Sequence, residues 1–321
     1  MHELKITMLG ASGVGKTSLL TAMYEQFESN IGKTNLQLTP DLNSSALLQE
    51  RLAELKTLPD SFETKGWMQN TEDYKSFFFE LGKKGAKPSL KLHFQDYPGE
   101  YLSSTKSPVE EKERIENFVR ESAAIIIAID APALMEKNGQ WHESINKPQL
   151  ITNYFQRAYQ ELDSPRLVIL APVRCEKYVQ NEQSAAELIN QVKTGYAKLL
   201  ADLKTGEMQS QVAVVITPVQ TVGSVFFSRI EINGKEPLFI FRKTSHDAKY
   251  NPKDSEQPLR YLLRFLLKLH LEQKNWKFFN FIREFLSLDN YLKEAVREFA
   301  KGCKTNNGFT IIQGDYWLNI D

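Results

Sequence analysis

Residues 6–20 read ITMLGASGVGKTSLL, and the segment GASGVGKT, Gly10 to Thr17, satisfies the spacing G-x-x-x-x-G-K-[ST]. An apolar run ends at Leu9 and a helix-like stretch opens at Lys16 and runs to about Ser29, so the glycines fall between a strand and a helix start. That placement is what a phosphate cradle needs. Glycines let successive backbone N–H groups curl around a polyphosphate, and the helix N-terminus adds the positive end of its dipole. Ser12, Gly13, Val14, Gly15, Lys16, Thr17 and Ser18 would line the cradle, with Lys16 reaching the outer phosphates and the Thr17 hydroxyl offered to Mg2+.

Working outward, the chain alternates strand-like and helix-like segments. YKSFFFELG and LKLHFQDYPG, separated by KKGAKPS, read as an antiparallel edge pair. The nearly unbroken apolar runs AAIIIAIDAP, RLVILAPV and QVAVVITPV read as parallel strands buried on both faces, with amphipathic helices between them. The expectation is an α/β fold with a wound, mostly parallel sheet and one antiparallel edge strand, occupying residues 1–225. Residues 30–73 form an insertion unusually long for such a domain. Residues 226–321 add a hairpin about an Asn-Gly turn, an α-rich elaboration and a final strand or hairpin, either packed on the same domain or forming one of their own.

Composition narrows the function classes. The 321 residues carry 40 basic and 40 acidic side chains, so no basic excess marks the chain for nucleic acid or an acidic membrane. The two cysteines argue against a disulfide framework and for a reducing, cytoplasmic setting, and no export signal opens the sequence. Five histidines without ligand spacing give no metal site beyond nucleotide-bound Mg2+, and His93, within a strand pattern, reads as structural.

LHFQDYPGEYL, residues 92–102, names the nucleotide class more closely than the cradle does. Asp96 at a strand end suits the water shell of Mg2+, and the Tyr97-Pro98-Gly99 that follows completes D-x-x-G, with the Gly99 N–H placed to meet a γ-phosphate. An ATPase with an acidic pair at the strand end would read differently. Here the chain resembles P-loop GTPases of the translation-factor-related (TRAFAC) clade, and DYPGEYL resembles the DYPGEWL segment of YcjX-like and double-GTPase-type bacterial proteins. The resemblance covers about residues 4–225 in order of elements. It implies GTP and GDP as ligands, Mg2+ as cofactor, and partner proteins in bacterial multi-gene conflict or stress systems.

The resemblance also assigns roles by position. A threonine ahead of the second strand should sense the γ-phosphate and Mg2+, with Thr71 the first candidate and Thr39 the second. APVRCEKY occupies the place of N-K-x-D, so Arg174 stands for the stacking lysine and Glu176 for the base-binding aspartate. Val219, Gln220 and Thr221 of TPVQTVG would close the base pocket. Glu100 replaces the usual water-orienting glutamine, and its charge opposes a γ-phosphate unless it is paired or protonated. Slow hydrolysis stimulated by a protein partner or by self-association is the expectation. A non-hydrolysing nucleotide-binding scaffold and a P-loop ATPase are the alternatives. The aromatic run NWKFFNFIREFL, residues 275–286, reads as core or as a partner surface.

Overall fold

The apolar run before the glycine loop becomes β1 (His2–Leu9), and Lys16 opens α1 (Lys16–Asn30). A computed structural model of the chain describes residues 2–30, 34–63, 74–102, 108–233, 236–272 and 290–320. Beyond α1 come β2 (Leu36–Pro40), α2 (Leu42–Lys56) and β3 (Ser61–Glu63), all from the sequence insertion. The Asp41 side chain caps α2 by accepting from the Ser44 N–H at 2.8 Å. The edge pair follows as β4 (Lys75–Lys83) and β5 (Leu90–Asp96), antiparallel from Lys75↔Asp96 to Leu81↔Leu90.

The second half of the wound core is α3 (Val109–Glu121), β6 (Ala124–Asp130), α4 (Pro148–Ala158), β7 (Arg166–Val173), α5 (Glu182–Gly195) and β8 (Val212–Ile216). Every residue of β6, β7 and β8 is buried, as expected for parallel strands covered on both faces. A hairpin, β9 (Val225–Asn233) with β10 (Glu236–Lys243), leads to α6 (Gln257–Leu271), α7 (Asn290–Lys301) and β11 (Thr310–Gln313). The final strand expected of the tail is β11, and the chain then closes in a 3₁₀ turn, Asp315–Leu318.

The main sheet runs β11-β8-β7-β6-β1-β5-β4-β2. Strands β5, β1, β6, β7 and β8 are mutually parallel, so the chain winds outward in both directions from β1. Such a reversal opens a crevice beyond the carboxyl ends of the strands, and the glycine loop lies there. The antiparallel pairing is more extensive than the single edge strand expected: β2 adds to β4, and β11 pairs antiparallel with β8 at the opposite edge. Leu36 and Leu38 alternate inward along β2, but five residues in a polar stretch give too short a pattern to read.

One face of the sheet packs Ile6 and Met8 with Leu20 and Phe27 of α1, Leu263 of α6 and Phe299 of α7 in a single apolar cluster. The C-terminal helices therefore share the core of the wound domain. The other face buries Ile125 and Ile127 under Val119, Phe155 and Leu188 of α3, α4 and α5. A second, three-stranded sheet has the order β3-β10-β9 and joins a strand of the insertion to the C-terminal hairpin. His93 donates and accepts locally, with Nδ1 2.8 Å from Glu3 Oε1 and Nε2 2.9 Å from Ser76 Oγ. Among the described residues no helix is long and apolar enough to cross a membrane.

Candidate functional site

The site assembles where β1 ends. Gly10, Gly13 and Gly15 hold φ of 149°, 73° and 109°, a backbone path open to glycine and strained for other residues. The loop is fixed from below by Tyr97, fully buried, whose hydroxyl accepts from the Gly10 N–H at 3.2 Å. In the sequence Tyr97 carries no signal beyond being an x of D-x-x-G. Its ring also lies 5.3 Å from Lys16 Nζ.

Lys16 is buried, and its ammonium donates to the Gly10 carbonyl at 2.9 Å and to the Ala11 carbonyl at 3.4 Å. Desolvation pushes its pKa down, and the Asp96 carboxylate 3.7 Å away opposes the shift. Asp96 ends β5 and accepts from the Thr17 hydroxyl at 2.7 Å through Oδ2. Its other oxygen, Oδ1, is buried without a hydrogen-bond partner, as is Ser12 Oγ. A carboxylate oxygen with no hydrogen bond, faced by the Lys16 ammonium at 3.7 Å, beside a threonine hydroxyl is the hard oxygen donor set that Mg2+ prefers, so the residues present fit that ion.

Gly99 opens the turn Gly99–Leu102 and lies against the loop. A Cβ there would sit 2.0 Å from the Ser12 nitrogen and 2.2 Å from the Ala11 carbonyl carbon, so only glycine lets the two backbones touch. Thr71 and the side chain of Glu100 lie outside the described residues, as does the run 275–286. Thr39 lies in the edge strand β2, three strands from β1, where its hydroxyl accepts from Gln37 Nε2 at 3.1 Å.

At the end of β7, Arg174 takes a left-handed conformation, φ 55°. Its Nη1 pairs with Asp130 Oδ2 at 2.5 Å, and Nη2 donates to the Gly13 carbonyl. The guanidinium thus ties the ends of β6 and β7 to the phosphate loop, a fixed bidentate use that lysine cannot copy. Asp130 in turn caps the helical turn Ala131–Met135 by accepting from the Ala133 N–H at 2.9 Å. Its backbone N–H donates to Asn146 Oδ1 at 2.7 Å. The sequence carried a signal for Asp130, since it closes an apolar run as Asp96 does.

Glu176 is 5% exposed. Its Oε1 accepts from the backbone N–H groups of Val222 at 3.3 Å and Gly223 at 3.2 Å, in the loop after β8. Burial raises its pKa, and these N–H groups and Arg174 act against the rise. Arg174, Glu176, Thr221 and Val222 line one pocket with Gly15 and Ser18 of the cradle. Phe62 and Phe241 of the small sheet also line it. Val219 is buried and its N–H donates to the Pro172 carbonyl at 2.8 Å, which holds the loop against β7. Gln220 faces a different cleft, shared with Asn181, Asp254 and Lys304, so the loop presents Thr221 to this pocket and turns Gln220 from it. Cys175 is fully buried between Arg174 and Glu176, and burial pushes its thiol well up.

With this geometry in view, residues 5–227 match the family described as Double-GTPase 2. The chain belongs to that family. It is a GTP-binding P-loop protein of the double-GTPase type. Among solved structures it is similar to the Ski7 GTPase-like domain of S. cerevisiae bound to GTP, at 13% identity and a TM-score of 0.40, over 70% of this chain and 44% of that one. The same domain bound to GDP and inorganic phosphate matches at 12% identity and a TM-score of 0.36, over 68% and 43%. Less than half the length of either structure is spanned. No curated protein matches the chain.

Proposed function

We propose that the chain is a Mg2+-dependent GTP switch that hydrolyses GTP slowly and depends on a protein partner or on self-association for faster turnover. The observation that carries this reading is the contact of Gly99 with Ala11 and Ser12, at the end of the strand whose Asp96 holds Thr17 and faces Lys16. A γ-phosphate seated on the loop has to enter beside the Gly99 backbone, so its presence or loss changes how this turn packs. Thr17 and Asp96 would hold Mg2+, which when bound shares the phosphate charge. Lys16 holds the outer phosphates, Arg174 keeps the loop in shape, and Glu176 with Thr221 faces the base. Thr71 remains the proposed γ-phosphate sensor.

Slow hydrolysis follows from Glu100 standing where a neutral amide would orient water. A cation supplied from outside the site would offset its charge, and an arginine delivered in this way accelerates related chemistry by about 10³ to 10⁵. Single-turnover phosphate release from purified protein, with and without Glu100→Gln, tests the proposal. Slow release that the variant accelerates is expected. Fast turnover by monomeric protein, unchanged in the variant, would overturn it.

A further inference from the structure

The pocket beside Glu176 has two unlike walls. Polar groups of the cradle and of the loops after β7 and β8 form one. The other is aromatic and comes from outside the wound core: Phe62 on β3 and Phe241 on β10 are direct partners across the strand pair. Their rings stack with centroids 6.0 Å apart and planes 23° from parallel, and they are only 8% and 3% exposed. The Arg174 guanidinium lies 5.7 Å from the Phe241 ring, so a flat cation and flat rings border the same space.

Polyphosphate recognition has no use for phenyl rings, since phosphates take N–H donors and cations. A purine base does, because its π-face stacks on aromatic side chains while its edge seeks hydrogen bonds. The pocket offers both within one space, with Glu176 and Thr221 on the polar side and the ring pair on the other. Phe62 and Phe241 also belong to the apolar cluster of the small sheet, with Leu55, Leu58 and Phe227, so that cluster fixes the pair in place while both residues border the pocket.

We propose that Phe62 and Phe241 form the stacking wall for the base of the bound nucleotide, so that the small sheet contributes directly to nucleotide affinity. This rests on the guanine-nucleotide reading of the same pocket. Both residues come from segments that the cradle itself does not require: one from the insertion, the other from the hairpin after the wound core. The small sheet is then a base clamp assembled from two distant stretches of chain.

The test is calorimetry in Mg2+ on the full chain carrying Phe62→Leu, Phe241→Leu or Phe241→Tyr, with GTP, GDP, ATP and inorganic tripolyphosphate as probes. Leucine keeps most of the buried volume and removes the π-face, so each leucine variant is expected to lose about tenfold in affinity for GTP and GDP. Tyrosine keeps the face and should retain affinity within about threefold of the original. Tripolyphosphate, which has no base, should bind all variants alike. Unchanged GTP binding in both leucine variants would overturn the wall while leaving the guanine reading intact. An equal loss for tripolyphosphate would also overturn it, because the effect would then act on the cradle. If the original chain takes ATP in preference to GTP and the leucine variants lose ATP, the wall stands and the guanine reading fails.

Discussion

Exchange of Glu176 for glutamine separates base recognition from folding. The glutamine carbonyl can still accept from the Val222 and Gly223 N–H groups, so the loop after β8 keeps its anchor. Guanine presents a ring N–H and an amino group, and a hydrogen bond to a charged acceptor is worth about 1.5–3 kcal/mol. Replacing the carboxylate by an amide, which turns a donor toward those donors, should cost about 3 kcal/mol, or roughly a hundredfold in GTP affinity. Xanthine carries a carbonyl where guanine has its amino group, so the variant should gain XTP relative to GTP. Stability should move the other way. Burial raises the Glu176 pKa in the folded protein, so the folded state holds this proton more tightly than the unfolded chain does. Stability is then lost as pH rises from the ordinary carboxylate range through the raised folded value, and Glu176→Gln removes that loss. At pH 7 the variant should be at least as stable as the original. On acidification, GTP affinity of the original chain should begin to fall above the ordinary carboxylate range, and the variant should lack this limb. Calorimetry with GTP and XTP across pH, with urea unfolding alongside, measures all of this. GTP affinity unchanged by the substitution, with no gain of XTP, would refute the reasoning.

Four further substitutions probe the scaffold of the site. Lys16→Ala removes the buried ammonium and should abolish GTP binding by calorimetry; full affinity in the variant would remove the phosphate-cradle assignment. Tyr97→Phe leaves the buried Gly10 N–H without its acceptor and should cost about 1–3 kcal/mol in urea unfolding. Asp130→Ala strands the Arg174 guanidinium and uncaps the following turn, which should destabilise by about 3 kcal/mol or more in the same assay and weaken GTP binding through the Gly13 contact. Gly99→Ala places a methyl against the Ala11–Ser12 backbone and should lower the melting temperature of the nucleotide-free chain, since the loop and the turn have to part by more than side-chain movement allows.

Much of this was legible where function is written into local chemistry. The cradle needs glycine at particular dihedrals and a strand and helix on either side, so Gly10 to Thr17 specified β1, α1 and the crevice together. Asp96 stood out because it closes an apolar strand with a residue the strand itself does not want, and Gly99 because it completes D-x-x-G three residues later. Other features depend on pairs far apart in sequence. Phe62 and Phe241 meet only because β3 joins β10, and SFE alone gives no strand signal. Arg174 was legible as a cation at the end of a core strand, yet its bonds to Asp130 and Gly13 require three chain segments to converge. Gln220 and Thr221 are adjacent in sequence, and which of them faces the pocket follows from the pairing of Gln220 with Lys253 in the loop before α6.

The most direct test of the central claim is a single calorimetric comparison of GTP, GDP, ATP and ADP in Mg2+ against the original chain and Lys16→Ala. Binding of both guanine nucleotides, absent for the adenine pair and lost in the variant, is the expected result. Adenine nucleotides bound without guanine nucleotides, or guanine binding that survives Lys16→Ala, would contradict it.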